Sequence, residues 1–282
     1  NRGTDLVNFT DGAFYSRSIV NPSIASKLLS QGKKSRLFML NALDENSVYL
    51  VGSEDRSYTG LGGKSLVNVM RYQHLLSPRS RFGGVIMNRF YKGGGYGHLF
   101  GIDGLFLLNQ NLRLSFELFQ NINEEPVNDW IETDATINGQ TIALDGDKIN
   151  GNALYVQLYR KTEHWQSYLF YRNISPQYRS DVGFVVKNNR RWGTLFHEYI
   201  NIINKPAVQT FGFGTKIDVV YTFEDLYKNF SVDFFASIKT YGQTEIKYTL
   251  DYDAVKTFLG IRFNDLPTHS ISLNGSPSST SN

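Results

Sequence analysis

From Phe230 to Asp253 the chain alternates apolar and polar residues through two successive runs. Phe230, Val232, Phe234, Ala236 and Ile238 mark one face of the first run, and Ile246, Tyr248, Leu250 and Tyr252 continue it in the second. Ser231, Asp233, Ser237 and Lys239, then Glu245, Lys247, Thr249, Asp251 and Asp253, take the other positions, with a reversal at Tyr241-Gly242-Gln243. A period of two puts successive side chains on opposite sides of a strand, so this segment reads as a long hairpin with one apolar and one charged wall. A strand rises roughly 3.4 Å per residue, and about nine to eleven tilted residues cross a hydrocarbon core. Repetition of such hairpins predicts an all-β fold, an antiparallel transmembrane β-barrel of the outer-membrane type whose charged wall faces a wet lumen.

The period recurs at 36–44, 47–57, 66–73, 82–91, 98–108, 112–122, from 153 onward, and at 165–174, 181–187, 192–203, 210–222 and 257–263. With the opening hairpin this makes roughly a dozen strands and no long helix. Residues 58–64, with Gly60, Gly62 and Gly63, read as a loop, and the acidic stretch 123–150 reads as an extracellular excursion or a lumen plug. The expected organisation is a lead-in segment or plug over 1–35, barrel strands over 36–264, and a loop or truncated continuation over 265–282. The chain opens Asn1-Arg2-Gly3 without an initiator Met and closes in a Ser-rich tail, so the expectation is an incomplete barrel from a longer gene product.

Composition narrows the function classes. The 29 basic and 26 acidic residues are spread along the 282-residue chain, without the basic stripe of a nucleic-acid binder, so no nucleic-acid partner is expected. Cysteine is absent, which removes disulfides and thiolate metal sites and fits an oxidising compartment. No apolar run approaches the length of a membrane helix, and the mean hydropathy of -0.31 suits a barrel as well as a water-soluble protein, because half of every barrel strand is polar. Aromatics near strand ends (Tyr72, Phe90, Tyr91, Tyr159, Trp165, Tyr171, Trp192, Tyr199, Tyr221, Tyr227 and Tyr241) suit interfacial belts or ordinary strand propensity.

Catalytic signals are weak. His74, His98, His164, His197 and His269 lack metal-ligand spacing, and His197-Glu198 lies within a strand, where neighbours face opposite sides. Gly93–Gly97 lacks the Lys-Ser/Thr ending of a phosphate-binding loop, there is no Gly-x-Ser-x-Gly elbow, and Glu124-Glu125 has no identifiable partner. No catalytic, cofactor or metal residue is assigned, and no cofactor is expected. The candidate lumen lining is Asp103, Arg113, Glu117, Lys161, Lys216, Asp218, Asp233, Lys239, Glu245, Lys247 and Asp251. These charges act either as a solvated structural mesh or as a selectivity lining that biases ions or sugars in a pore.

Several segments carry a family resemblance. Leu6-Val7-Asn8-Phe9 followed by Phe14-Tyr15-Ser16-Arg17-Ser18-Ile19 resembles the opening signature of a Bacteroidota outer-membrane barrel family, domain of unknown function 5916, with Ser18 and Val20 departing from its pattern. Ile174-Ser175-Pro176-Gln177-Tyr178-Arg179-Ser180-Asp181-Val182-Gly183-Phe184 is similar to that family's Ile-Ser-Pro-x-Phe-Arg-x-Asp-x-Gly-Phe string. Residues 71–89 and Gly101-Ile102-Asp103-Gly104 resemble intervening blocks. The resemblance implies an outer-membrane barrel, usually preceded by a module resembling family 9 carbohydrate-binding domains. It implies structural roles for Tyr15, Ser16, Arg17, Ser175, Pro176, Arg179, Asp181, Gly183 and Phe184, and it carries no catalytic residues. The expected function is glycan binding, uptake or surface attachment at the bacterial outer membrane, with outer-membrane lipid, glycans and a carbohydrate-binding-like domain as partners. A membrane-associated hydrolase with its site in the loops, and a soluble all-β binding scaffold, are the alternatives. The scaffold would bury both strand faces, whereas a barrel shows an apolar outer band about 25 Å tall.

Overall fold

The structure is a computed structural model that describes residues 4–275 other than 11, 138, 206, 241–243 and 259. The chain is all-β. After two short 3-10 turns (Thr4–Val7 and Ser16–Ser18) come β1 (Pro22–Gln31), β2 (Ser35–Asp44), β3 (Ser47–Gly52), β4 (Ser57–Gly62), β5 (Ser65–Ser77), β6 (Ser80–Tyr91), β7 (Tyr96–Asn109) and β8 (Leu112–Glu124). Then follow β9 (Thr136–Ile137), β10 (Gln140–Thr141), β11 (Lys148–Lys161), β12 (Trp165–Ile174), β13 (Arg190–Lys205), β14 (Val208–Tyr221), β15 (Tyr227–Lys239), β16 (Glu245–Phe258) and β17 (Ile261–Asn274). Thirteen strands form one sheet in the order β1-β2-β5-β6-β7-β8-β11-β12-β13-β14-β15-β16-β17, while β3-β4 and β9-β10 make small hairpins. Among the described residues β1 and β17 end the order without pairing to each other.

Several boundaries differ from the sequence expectation. Residues 22–31, placed in the lead-in, form β1 against β2 in a register from Pro22↔Asp44 to Gln31↔Arg36. The segment 58–64 is largely strand β4, and its glycines are where Trp130 packs: a Cβ at Gly60 or Gly62 would collide with that residue. The predicted strand 257–263 contains a reversal, with Phe258 paired to Ile261, and β17 runs to Asn274 through residues expected to be a loop or a truncated continuation. Residues 181–187 are not a strand, because their backbone is engaged elsewhere: Phe184 N–H donates to the Gly12 carbonyl at 2.7 Å, and the Val182 carbonyl accepts from Tyr15 N–H at 2.9 Å. The reversal at Tyr241-Gly242-Gln243 lies outside the described residues.

The chain divides into two compact units. In the first (Asn1–Leu107, Leu114–Val156 and Arg172–Arg191), register fixes two opposite strand faces. Phe38↔Arg71, Arg71↔Val85 and Val85↔Gly101 form a row on one face; Met39↔Met70, Met70↔Ile86 and Ile86↔Phe100 form the adjacent row on the other. The first face is covered. Leu6, Val7, Phe9 and Ala13 of the lead-in, with Tyr178, Val182 and Val185, pack on Phe38, Val67, Val69, Val85, Met87, Leu99 and Phe119. Burial of each such large side chain stabilises by about 1.5–3 kcal/mol. A smaller core joins the β3-β4 hairpin to the acidic loop through Tyr49, Val51, Tyr91, Ile131, Ile142 and Leu144. The second face is not covered: Leu43, Met70, Tyr72, Phe82, Ile86, Phe90, Phe100 and Ile102 are all exposed.

In the second unit (Leu108–Arg113, Gln157–Tyr171 and Trp192–Asn282) the alternation of the opening hairpin is seen in the pairing. Phe211↔Ile238, Ile238↔Ile246 and Ile246↔Leu273 share one face, and Lys216↔Asp233 and Asp233↔Asp251 the other. The apolar side is again the more exposed, with Phe234, Ile238, Ile246 and Tyr248 open while Asp218 and Asp253 are buried.

Candidate functional site

The covered face of the first unit carries buried arginines and carboxylates that fix two non-strand segments in place. Arg71 is fully enclosed; its Nη1 and Nη2 reach Asp103 at 2.5 and 2.7 Å, its Nε donates to the Leu6 carbonyl at 3.1 Å, and its guanidinium lies 5.2 Å from the Phe9 ring centre. Glu117, another predicted lining residue, accepts from Thr10 N–H at 2.9 Å and Thr10 Oγ1 at 3.0 Å. Both residues therefore hold the lead-in segment. Higher on the same wall Arg89, with no exposed surface, donates to the Ser18 carbonyl at 2.9 Å and the Val48 carbonyl at 3.2 Å, and sits 3.5 Å from Asp44. Asp44 in turn accepts the Asn21 N–H at 2.8 Å, just where β1 begins.

The second held segment is 175–189, which contains Ser175, Pro176, Arg179, Asp181, Gly183 and Phe184. Ser175 opens a turn closed by Tyr178 N–H at 3.1 Å and accepts Asn152 N–H on its Oγ at 2.8 Å, while the Pro176 carbonyl accepts from Asn188 Nδ2 at 2.6 Å. Arg179 Nη1 donates to Tyr49 Oη at 2.7 Å and to Glu125 at 2.5 Å. Glu125, for which the sequence offered no partner, is thus the counter-ion of a buried arginine. Glu124 lies 3.9 Å from Lys148. Asp181 Oδ1 accepts from Asn123 Nδ2 at 2.9 Å. Burial pushes the Asp181 carboxyl up from its ordinary range in spite of Arg179 and Arg89, and burial does the same to Glu125 in spite of its ion pair.

The two motif blocks meet. The Tyr15 ring centre is 5.1 Å from that of Phe184, Ser180 Oγ donates to the Ala13 carbonyl at 2.6 Å, and a Cβ at Gly183 would meet the Gly12 and Ala13 carbonyls at 2.5 and 2.7 Å. Only glycine permits that approach. Ser16 and Arg17 remain exposed on their 3-10 turn.

The other lining candidates lie in the second unit. Lys216 forms an ion pair with Asp218 and reaches Asp233 at 3.9 Å, and Asp218 also accepts Trp192 Nε1 at 3.0 Å and Thr194 Oγ1. Asp233 and Asp251 are direct cross-strand neighbours, as are Lys239 and Glu245. Lys247 Nζ stands 4.4 Å over the Phe235 ring, Arg113 4.8 Å from the Tyr159 ring, and Lys161 N–H donates to the Asn111 carbonyl at 2.8 Å.

Three of the aromatics read as suiting interfacial belts or ordinary strand propensity lie on the polar face. Tyr91 is buried, Tyr159 stacks with Arg113 and Trp192 holds Asp218. Tyr72, Phe90, Trp165, Tyr171 and Tyr221 are exposed, and Tyr241 lies outside the described residues.

Each histidine has its own neighbour: Phe82 for His74, Asn88 for His98, the Ile200 carbonyl for His164, Ser167 for His197 and Tyr248 for His269. Ser167 Oγ lies 2.7 Å from His197 Nδ1, with Trp165 stacked on the imidazole, whereas Glu198 belongs to the opposite wall, within electrostatic reach of Lys247 and Lys161. The serine and histidine are therefore not backed by the adjacent carboxylate. Among the described residues no group of three or more His, Cys, Asp or Glu is placed to hold a metal, and no helix is long and apolar enough to cross a membrane. The chain matches no family model and no curated protein.

Proposed function

We propose that this chain is an outer-membrane β-barrel protein of the kind its sequence resembles, with no chemistry of its own, acting in surface attachment and in the handling of glycans. The observation that carries this reading is the inversion of polarity in each unit: large apolar side chains are exposed on one strand face and ion pairs sit on the other. An extended apolar face is unfavourable in water and favourable in hydrocarbon. The scale fits. Phe82 and Phe90 stand on the exposed face of β6, roughly 27 Å apart at 3.4 Å per residue, close to the height of an outer-membrane apolar band.

Attachment is favoured over passage by the first unit, whose inner wall is filled by the chain's own lead-in and by residues 175–189. The carbohydrate link comes from the resemblance to barrels that follow carbohydrate-binding-like modules. A second reading, uptake of a polar solute such as an oligosaccharide, is favoured by the charged wall of Lys216, Asp233, Asp251 and Lys247.

Full-length protein purified from outer membranes tests both. The expected result is heat-modifiable gel mobility with an electrically silent bilayer. Discrete conductance steps that oligosaccharide blocks would transfer the assignment to uptake, and failure to partition into the membrane would overturn the barrel itself.

A further inference from the structure

Where β2 and β6 end and β5 begins, the exposed apolar face of the first unit meets a cavity of about 350 Å³ with two chemically different halves. Its lower wall is Leu43, Leu66 and Phe90, all exposed and aligned across the strands by the pairs Leu43↔Leu66 and Leu66↔Phe90. Its upper rim is Lys64, Lys92 and Glu45. The two lysines are tied together, Lys92 N–H donating to the Lys64 carbonyl at 2.8 Å. Glu45 pairs with Lys64, and Lys92 adds to the positive field around that carboxylate. Two cations against one anion leave the rim net positive, since the neighbouring Asp44 is already committed to Arg89 and the Asn21 amide.

We infer that this cavity binds a phosphate-bearing membrane lipid, its phosphate on Lys64 and Lys92 and a hydrocarbon chain laid along Leu43, Leu66 and Phe90. The assignment rests on the barrel reading above. Exposed apolar side chains directly beneath paired lysines match the two parts of such a lipid in order, and neither water nor a free anion would use the lower wall. Farther along the same face Gly84 supplies no side chain and leaves a notch of about 470 Å³ walled by Met70, Ile86, Phe100 and Ile102, which gives the rest of the chain a bed.

The leaflet follows from the connections. The strand ends at this cavity carry the long segments 45–64, 125–147 and 175–189, whereas the opposite ends are joined by short turns such as 78–79 and 110–111. Outer-membrane barrels keep short turns in the periplasm and longer loops outside, which places the cavity at the outer leaflet, where lipid A supplies the phosphates.

The test uses full-length protein in detergent, with native mass spectrometry to count bound lipid and gel mobility to confirm folding. Lipid A, dephosphorylated lipid A and inorganic phosphate serve as probes. Lipid A adducts are expected on the wild type, weakened roughly tenfold or more in K64Q/K92Q, retained in K64R/K92R and unaffected in K33Q/K34Q at the opposite strand ends. Equal adducts on K64Q/K92Q, or equal binding of the dephosphorylated lipid, would overturn the site while heat-modifiable protein leaves the barrel standing. Saturation by inorganic phosphate with no lipid adduct would overturn it as a lipid site. Protein that shows neither membrane partition nor heat modifiability would remove both conclusions together.

Discussion

The Asp181 carboxylate occupies the space that a side chain at Gly97 would need: a Cβ built there would fall inside contact distance of Oδ2 and within 2.9 Å of Asn123 Nδ2. β7 therefore makes room, by omitting one side chain, for a carboxylate from a segment far along the sequence. Gly97→Ala should destabilise the folded protein by about 1–3 kcal/mol, because the buried acid has nowhere to retreat. The midpoint of urea unfolding in detergent checks this, and an unchanged midpoint would mean the 175–189 segment does not hold this position.

Arg179 is the central cation of the same region, shared by Tyr49 and Glu125. Arg179→Ala leaves a buried glutamate without its partner and should cost about 3–5 kcal/mol, whereas replacing both members of the pair with apolar residues should cost much less. A double-mutant cycle with Glu125→Leu and Arg179→Met measures the coupling, and simple additivity would contradict it.

Asp181 also sets a pH dependence. Its folded-state pKa is raised, so the folded protein holds the proton more tightly than the unfolded chain does. The stabilisation is fully present below the ordinary carboxylate range and is lost as pH rises through the folded-state pKa. Asp181→Asn keeps an acceptor for Asn123 and cannot ionise, so its stability relative to wild type should improve as pH is raised from 4 to 8, about the range over which buried carboxylates titrate. Unfolding midpoints measured across that interval decide it; parallel curves would contradict the sign.

On the exposed face, Ile86→Arg distinguishes lipid from water. In a bilayer an arginine on an outward strand position near mid-depth costs about 2–4 kcal/mol. An exposed site in water would change by no more than about 0.5 kcal/mol. Folding into phospholipid vesicles, compared with Lys33→Arg at a turn, provides the measurement.

Strand content was legible because a period of two survives any substitution that keeps polarity, and residues 230–253 paired in the register their alternation implies. The inner wall was less legible. Arg71, Arg89 and Asp44 sit in ordinary alternating strands, and nothing local distinguishes a buried charge from a solvated one; the arginines' partners are carbonyls of residues 6, 18 and 48, and Asp44 accepts from the Asn21 amide. Residues 181–187 alternate like a strand, yet their backbone bonds with residues 12–15, a choice made by Gly183 and Ser180 through contacts that periodicity does not register. Glu125 looked isolated because Arg179 lies 54 positions away.

The unequal connections at the two strand ends carry a further consequence. Joining turns such as 32–34, 78–79, 110–111 and 162–164 are short, while 125–147 and 175–189 bring polar backbone and share the buried Arg179–Glu125 ion pair. Moving a short turn through hydrocarbon exposes few peptide groups; moving the long ones would strip many at several kcal/mol each. In the barrel proposed above, that difference makes one strand end the leading end and the other the trailing end, so insertion is expected to be vectorial, with orientation following the cost of transit.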